Sequence, residues 1–216
     1  MVKSSDGYLW QLVHTERAAL ARELAALTPE QWHHQSLCGR WDVEDVVAHL
    51  TAAASLTQWP WLRSMVMARF QPDVHNQRRL QEHRGNTSAA TLERFRAVIN
   101  SNIAPSSHTS AYLGEVLVHA QDIRRVLGLP HTPSIEASTA VAEFYANRNF
   151  AVASRTRVKG LHLSADDGPF SAGTGPRVTG PTIALVMVMA GRWQYLEDLQ
   201  GHGVEALRSR LESSPA

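Results

Sequence analysis

Trp41-Asp42-Val43-Glu44-Asp45-Val46-Val47-Ala48-His49-Leu50 sets the reading of the rest of the chain. Asp42 is a residue type favoured at a helix N-cap. Val43, Val46, Val47 and Leu50 then recur at the three- and four-residue spacing of one apolar helix face. His49 stands among them. A second stretch, Gly114-Glu115-Val116-Leu117-Val118-His119-Ala120-Gln121-Asp122, also reads as helix, with Glu115 and His119 one turn apart on one side. A Glu-x3-His pair by itself is ordinarily solvated, and a lone histidine on an apolar face is ordinarily held by a carbonyl or carboxylate. Here both helices are apolar around these residues, and a buried polar group without a partner costs about 2–7 kcal/mol. If the helices face each other in a bundle, His49, Glu115 and His119 converge as two imidazoles and one carboxylate. Bundle interiors recurrently hold metals this way. Three protein ligands leave a coordination position for water, thiol or substrate. Two nitrogens and one oxygen suit zinc, with nickel, iron or manganese as alternatives. Asp45, one turn before His49, and Asp122, three residues after His119, are carboxylates that can accept a ring N–H behind the ligands. The competing readings are a first-turn acid for Asp45 and a partner of Arg124 or Arg125 for Asp122.

Of the 216 residues, 44% are hydrophobic and 19% charged, the composition of a globular protein with a real core. The net charge of +1 gives no electrostatic argument for nucleic acid or an anionic membrane, and there is no basic stripe with interleaved aromatics. The single cysteine, Cys38, has no internal disulfide partner, which fits a reducing compartment. MVKSSDGYLWQLVHTER lacks a signal-peptide apolar core. The most apolar run, Ile183 to Ala190, is too short to span a bilayer. The expectation is a cytoplasmic protein, monomer or homodimer, with neither nucleic acid nor membrane as partner.

Helical periodicity runs through roughly the first 155 residues. Leu9, Leu12, Val13, Leu20 and Leu24 mark a helix from Asp6 to Leu27. Thr28-Pro29-Glu30-Gln31 carries a capping-box start and opens a short turn. The helix from Asp42 extends past Leu56, with Pro60 interrupting it. Gln71 to Thr87 reads as irregular. Ser88–Asn100, Thr109–Leu127 and Ser134–Ser154 read as further helices, the second of them stopped by Gly128. Alternation over Val158–Ala165 then indicates a strand, Asp167-Gly168 a hairpin turn, and two short strands follow before an apolar helix from Pro181. Val204–Leu211 reads as a closing helix. The boundaries expected are 1–155 for a helical bundle and 156–216 for a small α/β unit. Trp10, Trp32 and Trp41 read as core packing. Trp59 and Trp61 flank Pro60 and could line a pocket mouth.

The segment Cys38 to Leu50, the segment Gly114 to Gly128, and the later Leu163-Ser164-Ala165-Asp166-Asp167-Gly168, Gly173-Thr174-Gly175-Pro176 and Ala190-Gly191-Arg192 resemble, in order, the signatures of the DinB-like, mycothiol-dependent maleylpyruvate isomerase family. The resemblance implies an up-and-down four-helix bundle with a small C-terminal, sterol-carrier-like α/β domain. It implies zinc on His49, Glu115 and His119, and mycothiol as co-substrate. It also implies a functional arginine between the two signatures, for which this chain offers Arg78 and Arg79. Arg192 matches the C-terminal signature and reads as a domain-interface residue or one that closes over the site.

The expected chemistry is a zinc-bound thiolate attacking a small electrophilic substrate whose carboxylate an arginine holds in a bidentate fork. Release of the thiol after bond rotation is isomerisation; its retention is S-transfer. The rivals are a metal-water hydrolase on the same residues, with Asp45 or Asp122 as base, and a non-catalytic metal- or ligand-binding protein. Cys38 as nucleophile, with His33 and His34 nearby in sequence, ranks behind these.

Overall fold

The computed structural model describes residues 6–39, 41–55, 79–104 and 106–213. Arg78, Leu56 and the Trp59-Pro60-Trp61 stretch lie outside the described residues. The chain divides into two compact units, Met1–His131 and Thr132–Ala216.

The first unit holds α1 (Asp6–Leu24), α2 (Pro29–Trp32), α3 (Val43–Ala53), α4 (Ser88–Ala97) and α5 (Thr109–Leu127). Local chemistry sets their ends. Thr28 and Gln31 form the reciprocal capping box at α2. The Asp42 side chain accepts the Asp45 N–H (2.7 Å) at the start of α3, and Thr87 does the same for α4. Gly128 adopts φ 63°, the left-handed conformation that ends α5. α1 packs on α4 and α5, and α3 packs on the same two helices, closing a ring of four. Val13, Leu20, Val43, Val46, Val47, Phe95, Leu113, Leu117 and Ile123 fill its centre with no exposed surface.

Residues 79–83 are helical, where the composition from Gln71 to Thr87 reads as irregular; 71–78 lie outside the described residues. Two tertiary contacts stabilise that turn. Leu80 is fully buried, and the Arg94 guanidinium donates to the carbonyl of Arg84 (2.8 Å) just past its end.

The second unit holds α6 (Ile135–Asn147), α7 (Ser154–Arg157), β1 (His162–Ala165), β2 (Ser171–Gly173), β3 (Arg177–Gly180), α8 (Thr182–Met189), a 3-10 helix (Trp193–Asp198) and α9 (Val204–Ser213). β1 is central, antiparallel to β2 and parallel to β3, with Leu163 opposite Ala172 and Val178. α8 is apolar all round, and Leu185 to Met189 are wholly buried, as such a helix requires. Its principal neighbours are α6 and the 3-10 helix. The helix from Ile135 thus belongs to the second compact unit, whose boundary precedes the change of composition near residue 155.

The helix expected to run from Ser134 to Ser154 ends at Asn147. Arg148 turns extended, and the Asn149 side chain bonds the Thr156 hydroxyl (2.7 Å) and N–H (3.1 Å). A polar side chain there satisfies the backbone of the next short helix instead of prolonging the first. Likewise, the strand expected from Val158 begins at His162. Leu161 N–H bonds back to the Val158 carbonyl (3.1 Å) and Gly160 takes φ 73°, making residues 158–161 a turn. Among the described residues, no helix is long and apolar enough to cross a membrane.

Candidate metal centre

α3 and α5 are packed neighbours, and their facing sides bring together the residues singled out in the sequence. His49 Nε2 lies 2.6 Å from Glu115 Oε1, and the same oxygen lies 3.7 Å from His119 Nε2. One ligand atom from each of the three residues falls within 4.8 Å of the others. The two imidazole rings meet edge to face, with centroids 4.9 Å apart. Both histidines are 9% exposed, whereas the Glu115 side chain keeps 28% of its surface. The carboxylate is therefore the accessible side of the group.

Asp122, wholly buried, accepts from His119 Nδ1 at 3.1 Å. Its oxygen fixes the ring orientation and leaves Nε2 directed at Glu115, the arrangement found behind metal-ligating histidines. Burial alone would push the His119 pKa down. The neighbouring Cys38 side chain, the hydrogen bond to Asp122 and the Glu115 carboxylate outweigh it and raise the group to about 10. On donor chemistry, charge and spacing the three side chains fit a divalent metal.

The segment before α3 roofs this group. Trp41 lies over both rings, with centroids 4.7 Å from His49 and 6.2 Å from His119. The Trp41 carbonyl accepts from the Ser36 N–H (3.0 Å), the Ser36 hydroxyl (2.7 Å) and the Gln35 amide (2.9 Å), which closes the segment into a tight loop. The Leu37 N–H donates to the Asp122 carbonyl (3.2 Å), tying that loop to α5. This places Cys38 beside His119 and Asp122, and ligand atoms of those three also fall within 4.8 Å of one another. Sequence reasoning linked Cys38 to His33 and His34. The neighbour that matters, His119, is distant in sequence and reached through a backbone bond that no side-chain pattern marks.

Asp45 does not stand behind His49. Its carboxylate takes the Arg84 guanidinium, which also reaches Glu44 (3.0 Å) and Asp42 (3.4 Å). One turn along a helix places Asp45 on the required side, but a cation 39 residues away along the chain wins it. Glu44 is further fixed by the Thr91 hydroxyl at 2.6 Å. Burial, and then the charge of Asp42, push the Asp45 pKa up, with Arg84 opposing. Arg79 pairs with Glu82 (2.8 Å) on its own helical turn, while its Nε is buried without a hydrogen-bond partner. Arg192, in the second unit, is buried and donates to the Ala190 carbonyl (3.1 Å).

Residues 13–103 match the family model described as the mycothiol maleylpyruvate isomerase N-terminal domain. No curated protein sequence matches the chain. Among solved structures, the chain is similar to a crystal structure of the mycothiol-dependent maleylpyruvate isomerase (TM-score 0.59, 15% identity, 92% of this chain and 93% of that one). A histidine-to-alanine mutant of that enzyme gives a TM-score of 0.60 with the same identity and coverage. The mostly helical architecture with a small three-stranded sheet is thus the fold of that enzyme. The chain thus shares the fold of mycothiol-dependent maleylpyruvate isomerase, and its residues 13–103 carry the match to the N-terminal domain model of that name.

Proposed function

We propose that the chain is a metal-dependent, mycothiol-using isomerase or S-transferase acting on a small electrophilic substrate. The observation that carries this reading is the convergence of His49, Glu115 and His119 within 4.8 Å, with Asp122 behind His119. Zinc held by these residues would supply positive charge that keeps a small thiol in its nucleophilic form near neutral pH. His49 and His119 offer their ring nitrogens from rigid helices, Asp122 orients the His119 ring, and Trp41 shields both rings from water. Glu115 contributes negative charge on the accessible side. The co-substrate thiol adds to an electrophilic carbon. Its loss after bond rotation returns the isomer, and its retention gives the thioether. Arg79 is the described arginine proposed to hold a substrate carboxylate, using the fork geometry that lysine lacks. We read the ring of α1, α3, α4 and α5 as the up-and-down bundle of the DinB-like family, and the second unit as its sterol-carrier-like α/β domain.

A metal-water hydrolase gains less support. The carboxylates offered as its base are engaged elsewhere: Asp45 by Arg84 and Asp122 by His119. The experiment is turnover of a panel of unsaturated, carboxylate-bearing electrophiles by the zinc-loaded protein. Product is expected only when both the metal and mycothiol are present. Equal turnover without the thiol rejects the reading in favour of hydrolysis. Zinc binding with no thiol affinity would leave a non-catalytic binding protein.

A further inference from the structure

His119 presents its two ring nitrogens to two different donor groups. Nε2 faces Glu115 and the first ligand set, while Nδ1 faces the buried Asp122 carboxylate at 3.1 Å. The Cys38 sulfur is close by as well: Cys38, His119 and Asp122 place ligand atoms within 4.8 Å of one another. We infer that the chain carries a second cation position, made by Cys38, His119 and Asp122, that takes a thiophilic divalent ion such as cadmium or excess zinc.

The donors come from two segments locked together. The loop bearing Cys38 is pinned to α5 through the Leu37 N–H on the Asp122 carbonyl, and the Ser36 hydroxyl accepts the Cys38 N–H at 3.1 Å. Asp122 is fully buried and His119 nearly so, so neither has solvent to turn toward. Ligand atoms on one tetrahedral ion lie about 3.2–3.8 Å apart, given metal–ligand bonds near 2.0–2.3 Å. The Nδ1–carboxylate edge already meets that. The sulfur edges need to close by at most about 1.5 Å, the scale of a side-chain adjustment of the half-buried Cys38. Sulfur, nitrogen and oxygen donors make this the softer of the two sets. On binding, the thiol proton passes to buffer and the sulfur lone pair forms the new bond to the ion.

The two positions compete. A neutral imidazole has one lone pair, so His119 serves either Nε2 or Nδ1. An ion on Cys38 therefore withdraws His119 from His49 and Glu115. This second position stands on its own geometry and does not depend on catalysis at the first.

The test is a cadmium titration of the metal-free full chain under anaerobic conditions, read by the ultraviolet thiolate-to-cadmium charge-transfer band. The wild type is expected to show the band. Cys38→Ser and Cys38→Ala are expected to lose it, and in a separate titration to bind zinc at the first position as the wild type does. Glu115→Ala is expected to keep it, because that change weakens only the competing set. Absence of the band from the wild type at saturating cadmium overturns the proposal. So does a band lost in Glu115→Ala, since the cysteine would then be a fourth ligand of the first set and not the core of a separate one.

Discussion

His49→Ala lowers the affinity of the chain for zinc by at least about 100-fold. Changing a residue that merely orients a ligand typically costs about 10–100-fold, and His49 is proposed as a ligand itself. Its loss removes one of two imidazoles and leaves Glu115 and His119, which are one turn apart on a single helix and insufficient for a closed set. His49 also hydrogen-bonds Glu115 at 2.6 Å, so the substitution removes one of the contacts that position the carboxylate. Competition against a chromophoric chelator gives the affinity, and elemental analysis of the purified protein gives the stoichiometry. His162→Ala, on β1 of the second unit, serves as control and should bind zinc as the wild type does. Equal zinc affinity in His49→Ala and wild type would remove His49 from the metal set.

Arg84→Ala destabilises the first unit by about 3 kcal/mol at neutral pH. Breaking a buried ion pair by removing one partner costs roughly 3–5 kcal/mol. The low end applies because the Arg84 side chain retains 27% of its surface. Three carboxylates depend on it: Asp42, Glu44 and Asp45. Glu44 is 4% exposed at its side chain, so water cannot replace the lost partner. The pH dependence has a definite sign. The Asp45 pKa is already raised, so its ionised form costs folding energy above that pKa and protonation relieves the cost below it. Without Arg84 the mutual repulsion grows, and the loss of stability is largest near pH 7 and shrinks as pH falls toward the carboxylate range. Urea denaturation of wild type and variant at pH 7 and pH 5 measures this. A loss of the same size at both pH values would contradict the electrostatic account.

Much of the framework was legible because it is local. Asp42 as cap, the valines of α3, the Thr28–Gln31 box and Gly128 at the end of α5 all act within four or five residues. The pairing of Glu115 with His119 is equally local. The approach of His49 required only that two apolar helices pack. What escaped is tertiary. Arg84 takes Asp45 from across the first unit, and the helical turn at 79–83 depends on Leu80 burial and on Arg94. Cys38 reaches His119 through the Leu37–Asp122 backbone bond. The short loops at 148–153 and 158–161 turned on single side-chain and glycine effects that outweighed periodicity.

The most direct test of the central claim is X-ray absorption at the zinc edge of the zinc-loaded Cys38→Ser protein, before and after mycothiol is added. The substitution removes the chain's only thiol. The account predicts nitrogen and oxygen neighbours alone at first, with two imidazoles among them, and then one sulfur at about 2.3 Å when the thiol is present. A spectrum lacking imidazole scattering, or one that mycothiol leaves unchanged, would contradict it.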